Sequence, residues 1–334
     1  MVIKPLRGYS MPKELNKEKI KYRVKNWSEY NKSLINRGSI TFWFSEDTIK
    51  KWVSCKQTGE KGRPEVYSDE AILCALMIRE VYKLPLRMLQ GFLKSLFFIL
   101  GLQLPVPSYS QISRRSARLN KKLKSLFKKE AKDIVFDSSG LKVYGEGEWK
   151  VKVHGQSKRR TWRKIHIGLD PTTQEIVLCD LTKNSVSDSS TACSLLDEMK
   201  SQIKRGWGDG SFDDKRFREK IFQMGGKAIV PPPRNAVYKG AKEGWKRKRD
   251  LDIAAIHILG ADEKARKIWK KLSGYHKRSL AETAFSRIKR ILGPNLKARS
   301  FKNQKVECQV KCLIMNKMLS LGMPISEPIF EIAA

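Results

Sequence analysis

The 334 residues carry 68 Lys and Arg against 34 Asp and Glu, a formal charge of +34 with a pI near 10.0. That surplus points away from a charge-balanced small-molecule enzyme and toward a polyanionic partner. With 40% hydrophobic residues and eight Trp, the chain can build a sizeable core and is not wholly disordered.

The charge is spread rather than confined to a tail: residues 1–130 hold 27 basic and 11 acidic side chains, and the remainder holds 41 and 23. The longest strongly apolar stretch, Leu96 to Leu102, falls far short of the roughly 20 residues a membrane-spanning helix needs. No transmembrane segment is expected, and the N-terminal text MVIKPLRGYS lacks an apolar signal core. The six Cys, at 55, 74, 179, 193, 308 and 312, have no paired CxxC spacing. A reduced cytoplasmic protein without disulfides or structural zinc is expected, with Cys308 and Cys312, one helical turn apart, as packing residues.

Residues 1–66 mix basic residues with Trp27, Tyr30, Phe42, Trp43, Phe44 and Trp52 and end in a loop-like GEKGRPE from Gly59 to Glu65. From Ser68, an N-cap type residue, the run Ala71, Ile72, Leu73, Ala75, Leu76, Ile78 predicts a buried helix. Pro85 ends or restarts it, and a second helix spans Leu86 to Leu100 before Gly101 and a PVP turn. Ser108 or Ser110 caps a third, strongly basic helix that continues to Glu130. Three such helices suit a helix-turn-helix-like DNA module or a bundle with a solvated basic face.

After Lys132 the period changes. DIVFDSSGLKVYG, KIHIGLD and EIVLCDLT read as three strands. A helix from Ser189 to Ile203 follows, then a turn GWGDGSFDD leading into another helix, then the strand AIVPPP. Residues 234–272 read as a basic, loop-rich insertion, and the last helices cover Ser279–Leu292 and about 304–324. The expected architecture is a mixed α/β catalytic domain over residues 132–334, preceded by an all-helical basic region over residues 1–131.

Three carboxylates stand out in this basic chain. Asp137 follows Ile134, Val135 and Phe136 in an apolar strand, where burial is costly without a cation or donors. Asp209 lies between two glycines that leave the backbone open to a ligand, and Glu282 lies on a helix whose other charges are nearly all positive. At about 100° per residue, Tyr275, Arg278, Glu282 and Lys289 fall near 0°, 300°, 340° and 320°, one narrow helical stripe. If Ser279 caps the helix, Tyr275 and Arg278 belong to the preceding turn. A surface salt-bridge face is the bland alternative for the stripe.

The spacing Tyr275, Arg278, Glu282, Lys289 resembles the Tyr-Arg-Glu-Lys signature of bacterial DDE transposases related to insertion-sequence family four. The texts VFDSSGLKVYGEGEW, RRTWRKIHIGLD, DGSFD, SGYHKRSLAETAFSRIKRILG and LGMP are closer still to insertion-sequence family five, in correct order from about residue 60 to 324. The resemblance implies an RNase H-like core with Asp137, Asp209 and Glu282 as catalytic and metal-binding acids. It implies two Mg²⁺ ions, with Mn²⁺ as substitute, acting in cleavage at terminal inverted repeats and strand transfer into target DNA. It further implies a DNA-associated homo-oligomer, a dimer on double-stranded DNA, with Tyr275, Arg278 and Lys289 on the DNA backbone.

Arg159, Arg160, Trp162, Arg163 and Lys164 are a further candidate DNA surface, or equally a charge-protected hairpin edge. Asp170 suits a hairpin turn, and Asp180, Asp188, Asp213 and Asp214 suit caps or turns. His154, His166, His257 and His276 lack metal-ligand spacing, and of these His276 is the best placed for DNA. The text RGWGDGSFDD departs from the family's Asp-Gly-Ala-Tyr-Asp pattern, with Gly206 and Gly208 expected to weaken the strand. The competing functional readings are a catalytically inactive transposase relic that binds inverted repeats, and an RNase H-like nuclease that never joins strands.

Overall fold

The computed structural model describes residues 21–54, 64–143 and 162–329. The chain divides into two units, residues 38–320 and a smaller one combining residues 1–37 with 321–334.

In the smaller unit, β1 (Lys21–Val24) pairs antiparallel with β8 (Ser326–Ile329), so the N-terminal region contributes a strand as well as helices. Asn26, just before α1 (Trp27–Asn36), donates to the Met323 carbonyl and accepts from the Ile325 N–H, fixing the pairing beside the ladder.

The larger unit opens with two short helices, α2 (Ile40–Trp43) and α3 (Glu46–Lys50). Ser68 accepts from the Ala71 N–H and starts α4 (Asp69–Val81), whose apolar run is buried; α5 (Leu86–Ile99) follows Pro85. A Ser108–Gln111 capping box opens α6 (Tyr109–Ser116). The single basic helix expected up to Glu130 is instead split between α6 and α7 (Asn120–Ser125). The N–H groups of Arg118 and Leu119 bond to carbonyls three residues back, a tight turn that buries Leu119.

The central sheet is built from β2 (Asp133–Val143), β3 (Trp162–Leu169), β4 (Ile176–Lys183), β5 (Arg205–Trp207) and β6 (Lys227–Ile229), in the order β4-β3-β2-β5-β6. β3 is antiparallel to both β2 and β4, whereas β5 is parallel to β2 and to β6. This order and these directions are those of an RNase H-like mixed sheet. A two-residue strand, β7 (Asn295–Leu296), adds to the far end of β2.

Because side chains alternate along a strand, β2 feeds two cores. Ile134 and Phe136 pack with α8 (Asp188–Leu196) and α9 (Lys215–Gln223). The predicted helix to Ile203 thus ends seven residues early. Between β6 and the next sheet-covering helix, residues 234–272 are not loop-rich: they fold into α10 (Gly244–Ile258) and α11 (Glu263–Leu272). Asp262 caps α11, and Ala265 and Trp269, spaced one turn apart among lysines, are its buried face. On the other side of the sheet Val135, Leu141, Ile165 and Ile167 pack with α12 (Ser279–Leu292) and α13 (Phe301–Ser320). α13 also packs on α4, α6 and α7, so helices on both sides of the expected 131/132 boundary share one core.

The glycines in β5 and just after it serve packing. A Cβ on Gly206 would lie 2.6 Å from Ile221 Cδ1, and one on Gly208 would lie 2.7 Å from Phe212 Cγ. Both positions need hydrogen where neighbouring apolar side chains approach the strand. Among the described residues, no helix is long and apolar enough to cross a membrane.

Candidate active site

Asp137 sits mid-strand in β2 and is 8% exposed. Alternation places it with Val135, Ser139 and Leu141 on the sheet face covered by α12. The parallel ladder pairs Asp133 with Arg205 and Val135 with Trp207. Continuing that register by two residues brings Asp209 beside Asp137, just past the end of β5. Asp209 Oδ1 accepts from the Ser211 N–H at 2.8 Å and from its hydroxyl, capping the 3₁₀ turn Gly210–Phe212. Glu282 lies in the first turn of α12 and is largely exposed.

The four residues of the helical stripe do not share one α-helix. Gly274, at φ +69°, turns the chain into a 3₁₀ segment, Tyr275–Arg278, and the α-helix begins at Ser279. Arg278 nevertheless reaches both acids. Its Nη1 donates to Glu282 Oε1 at 2.5 Å, and its Nη2 lies 3.5 Å from Asp137 Oδ2, while its buried Nε has no hydrogen-bond partner. Lys289 Nζ donates to Ser139 Oγ at 2.7 Å, two residues along the same face from Asp137. The Tyr275 ring leans on Trp269 and lies under the Lys270 ammonium.

Electrostatics tie the cluster together. Burial raises the Asp137 carboxyl to about 6; Arg278 and the Ser138 N–H oppose the rise, while Asp209 and Glu282 add to it. Burial also raises the Tyr275 hydroxyl, with Arg278 opposing and the same three acids adding to the shift. Hard carboxylate oxygens, one of them held toward its neutral form by burial and like charge, are a donor set suited to a divalent oxygen-seeking cation, which would offset both effects. The carboxylate oxygens are not drawn together within 4.8 Å; among the described residues the one such trio of metal-capable side chains is Cys179, Cys308 and Cys312. Those sulfurs are buried between β4 and α13, with Cys312 3.2 Å and Cys308 3.8 Å from Cys179, and serve as core.

The other candidate DNA surface is less coherent. Arg159 and Arg160 lie outside the described residues. Arg163 bonds Gln304 and covers the Phe301 ring, and Lys164 bonds Asp188, so both are engaged in internal contacts. Trp162, on the opposite sheet face from Arg163, packs across Gly140 with the Lys142 ammonium over its ring.

Asp170 accepts from the Thr172 N–H in the β3–β4 turn, and Asp214 caps α9. Asp213 closes the 3₁₀ turn, its N–H bonding the Gly210 carbonyl, and its buried carboxylate does more: it binds Arg218 at 2.5 Å and Arg249 at 2.8 Å, tying α9 to α10. Sequence reasoning missed this pair because Arg249 is 36 residues away in a segment read as loop. Buried His166 bonds Thr182, and burial lowers it to about 4; His154 lies outside the described residues. His276, in the 3₁₀ turn, is exposed.

Two stretches match the family described as Transposase DDE domain, residues 35–146 and residues 128–317. The second spans more than half of the chain and contains Asp137, Asp209, Tyr275, Arg278, Glu282 and Lys289. The chain belongs to the DDE transposase family. Transposases of this family are DNA-cleaving enzymes with a divalent metal requirement. Among solved structures the transposase is similar to the cryo-EM structure of piggyBac transposase synaptic complex with hairpin DNA, at 10% identity and a TM-score of 0.42, covering 85% of this chain and 75% of that one.

Proposed function

We propose that this transposase, of the insertion-sequence family-five type, acts at the terminal inverted repeats of its element, with Asp137, Asp209 and Glu282 as its catalytic acids. The observation that carries the reading is the convergence of Arg278 on Asp137 and Glu282, with Asp209 and Tyr275 in the same electrostatic neighbourhood. The three acids would hold two Mg²⁺ ions, with Mn²⁺ substituting. When bound, such ions supply charge neutralisation at the attacking and leaving oxygens of an in-line phosphodiester displacement.

The chain's own residues position the DNA. Arg278, partly exposed beside the acids, offers its guanidinium charge to a backbone phosphate. Lys289 presents a point charge on the Ser139 side, and the Tyr275 hydroxyl a further donor. His276, exposed in the same turn, adds a fourth contact. In cleavage the water O–P bond forms as the P–O3′ bond breaks, leaving a 3′-hydroxyl and a 5′-phosphate; that hydroxyl then attacks a target phosphodiester, its new O–P bond replacing the target P–O3′ bond, whose 3′-oxygen leaves as a hydroxyl. Two ends must meet, so the working form is a dimer on DNA.

The test uses the purified full chain with a labelled duplex carrying the element's terminal repeat, in Mg²⁺ or Mn²⁺, comparing wild type with Asp137→Ala and Glu282→Ala. Cleavage at the repeat boundary by wild type alone, with joined products on adding target DNA, is expected. Binding by all three proteins without cleavage by any would overturn catalysis and leave a DNA-binding relic; cleavage without joining would leave a nuclease.

A further inference from the structure

Lys289 carries its charge on a flexible four-carbon stem, so a fixed position for its ammonium has to come from a partner. Among the described residues that partner is not a carboxylate: the Nζ donates to the Ser139 hydroxyl oxygen at 2.7 Å. Both residues are half-buried, and they belong to different elements. Ser139 lies on β2 two residues past Asp137, and Lys289 lies on α12 seven residues past Glu282.

Packing fixes both ends of the pair. α12 buries Ala281, Phe285, Ile288 and Leu292 in the core that also takes Val135 and Leu141 of β2. Alternation puts Asp137, Ser139 and Leu141 on that same sheet face, roughly 7 Å from one to the next. The hydrogen bond therefore joins the strand that bears the first acid to the helix that bears the third. It also leaves donors to spare. An ammonium has three N–H groups and Ser139 takes one, while the hydroxyl, accepting from Lys289, keeps its own O–H to donate.

We propose that Ser139 is a positioning residue for the cleavage reaction: its hydroxyl holds the Lys289 ammonium at a fixed distance from Asp137, with the remaining N–H groups aimed at the phosphate being cut. The inference rests on the assignment of Asp137 and Glu282 as catalytic acids and adds to it a residue that acts through Lys289. A hydroxyl suits this task better than a carboxylate. A carboxylate would neutralise the ammonium and occupy its donors, whereas a hydroxyl orients it and leaves its full charge for the phosphate. It also adds no further anion beside Asp137, Asp209 and Glu282.

The experiment compares wild type, Ser139→Ala, Ser139→Thr, Lys289→Gln and the double variant Ser139→Ala/Lys289→Gln, each as the full chain. Its first readout needs no cleavage: acetylation of lysine amines in EDTA without DNA, followed at Lys289 by mass spectrometry. Lys289 should label roughly fivefold faster in Ser139→Ala, the effect of one lost hydrogen bond. It should label at the wild-type rate in Ser139→Thr, which keeps the hydroxyl on a β-branched side chain that a strand accommodates. Equal labelling in all three would overturn the proposal whatever the cleavage assay gives. The second readout is metal-dependent cleavage of the terminal-repeat duplex. In Ser139→Ala kcat should fall roughly tenfold with KM within about twofold, as for a charge misplaced rather than lost, and Ser139→Thr should recover most of the rate. In the Lys289→Gln background, removing the hydroxyl should cost no more than about twofold. A tenfold loss persisting there, or a Ser139→Thr variant no faster than Ser139→Ala, would show that the hydroxyl does not act through Lys289 and would overturn the proposal. If labelling shifts as expected but wild type does not cleave, the catalytic reading fails and takes the positioning role with it. Unchanged labelling with normal wild-type cleavage removes the positioning role alone.

Discussion

The Arg278 guanidinium lies 3.5 Å from the Asp137 carboxylate and donates to Glu282 with its other terminal nitrogen. It is therefore the internal counter-charge of the acidic cluster, and its removal acts on both acids. Arg278 opposes the rise of the Asp137 carboxyl above its ordinary value. In Arg278→Ala the Asp137 proton should be held to higher pH, and the acid limb of the cleavage pH profile should move up. Arg278→Lys keeps the charge but not the two-armed reach, and should recover less than half of the lost rate. An unchanged pH profile in Arg278→Ala would remove this residue from the site.

Asp137 itself makes a stability prediction. The folded carboxyl titrates near 6, above the 3.8 of an unperturbed Asp. Between these values the folded chain holds more protons than the unfolded one, so the contribution is full below about pH 3.8 and is lost as pH rises through about 6. At neutral pH without metal, the ionised carboxylate costs on the order of 1–3 kcal/mol. Asp137→Asn in a chelator should melt higher than wild type at pH 7 and level with it near pH 4. Adding Mg²⁺ should stabilise wild type more than the variant; identical responses would argue against Asp137 as a ligand.

His166 shifts stability in the opposite sense. Burial holds it near 4 against 6.5 for a free imidazole. The folded chain binds fewer protons in that window, so this contribution is present above about pH 6.5 and is lost as pH falls through about 4. His166→Gln should flatten acid unfolding by on the order of 1–3 kcal/mol. Because the two windows overlap, a wild-type melting curve alone hides both effects. Each single variant, measured from pH 4 to 7, separates them.

How far the site was readable follows from where each constraint resides. Asp137 was conspicuous because a carboxylate in an apolar strand is a local anomaly, and Glu282 because its helix is otherwise cationic. The β2–β3–β4 strands carried their own period and were legible for the same reason. The 3₁₀ start at Tyr275 was not, since it depends on the backbone at Gly274, where helical spacing continues smoothly in the text. The ion pair of Asp213 with Arg249 was hidden, because its partners come from segments far apart in sequence. Gly206 and Gly208 looked like strand breakers until Ile221 and Phe212 supplied the reason for them.

That reason can be tested at Gly206. A methyl group there would lie 2.6 Å from Ile221 Cδ1, in a buried contact between β5 and α9. Gly206→Ala should destabilise by about 1–3 kcal/mol, the usual cost of overpacking. Adding Ile221→Val, which removes the clashing Cδ1, should return part of the loss despite being destabilising alone. A double variant no more stable than Gly206→Ala would show that the clash is not the cause. Chemical denaturation of the three variants gives the cycle.

Asp209 and Asp213 stand four residues apart, and the catalytic role proposed for the first can be tested apart from the architectural role of the second. Asp213 is buried between Arg218 and Arg249, and removing it leaves two guanidinium groups without their carboxylate. Asp213→Ala should cost about 3–5 kcal/mol, as for other broken buried ion pairs. Asp209 is partly exposed, and its visible structural task is to cap one 3₁₀ turn. Asp209→Asn retains an oxygen for that cap, so its stability should stay within about 1 kcal/mol of wild type. Its metal-dependent cleavage should fall below detection, whereas Asp213→Ala, assayed well below its lowered melting temperature, should still cut. If Asp209→Asn cleaves normally, the second acid of the cluster lies elsewhere.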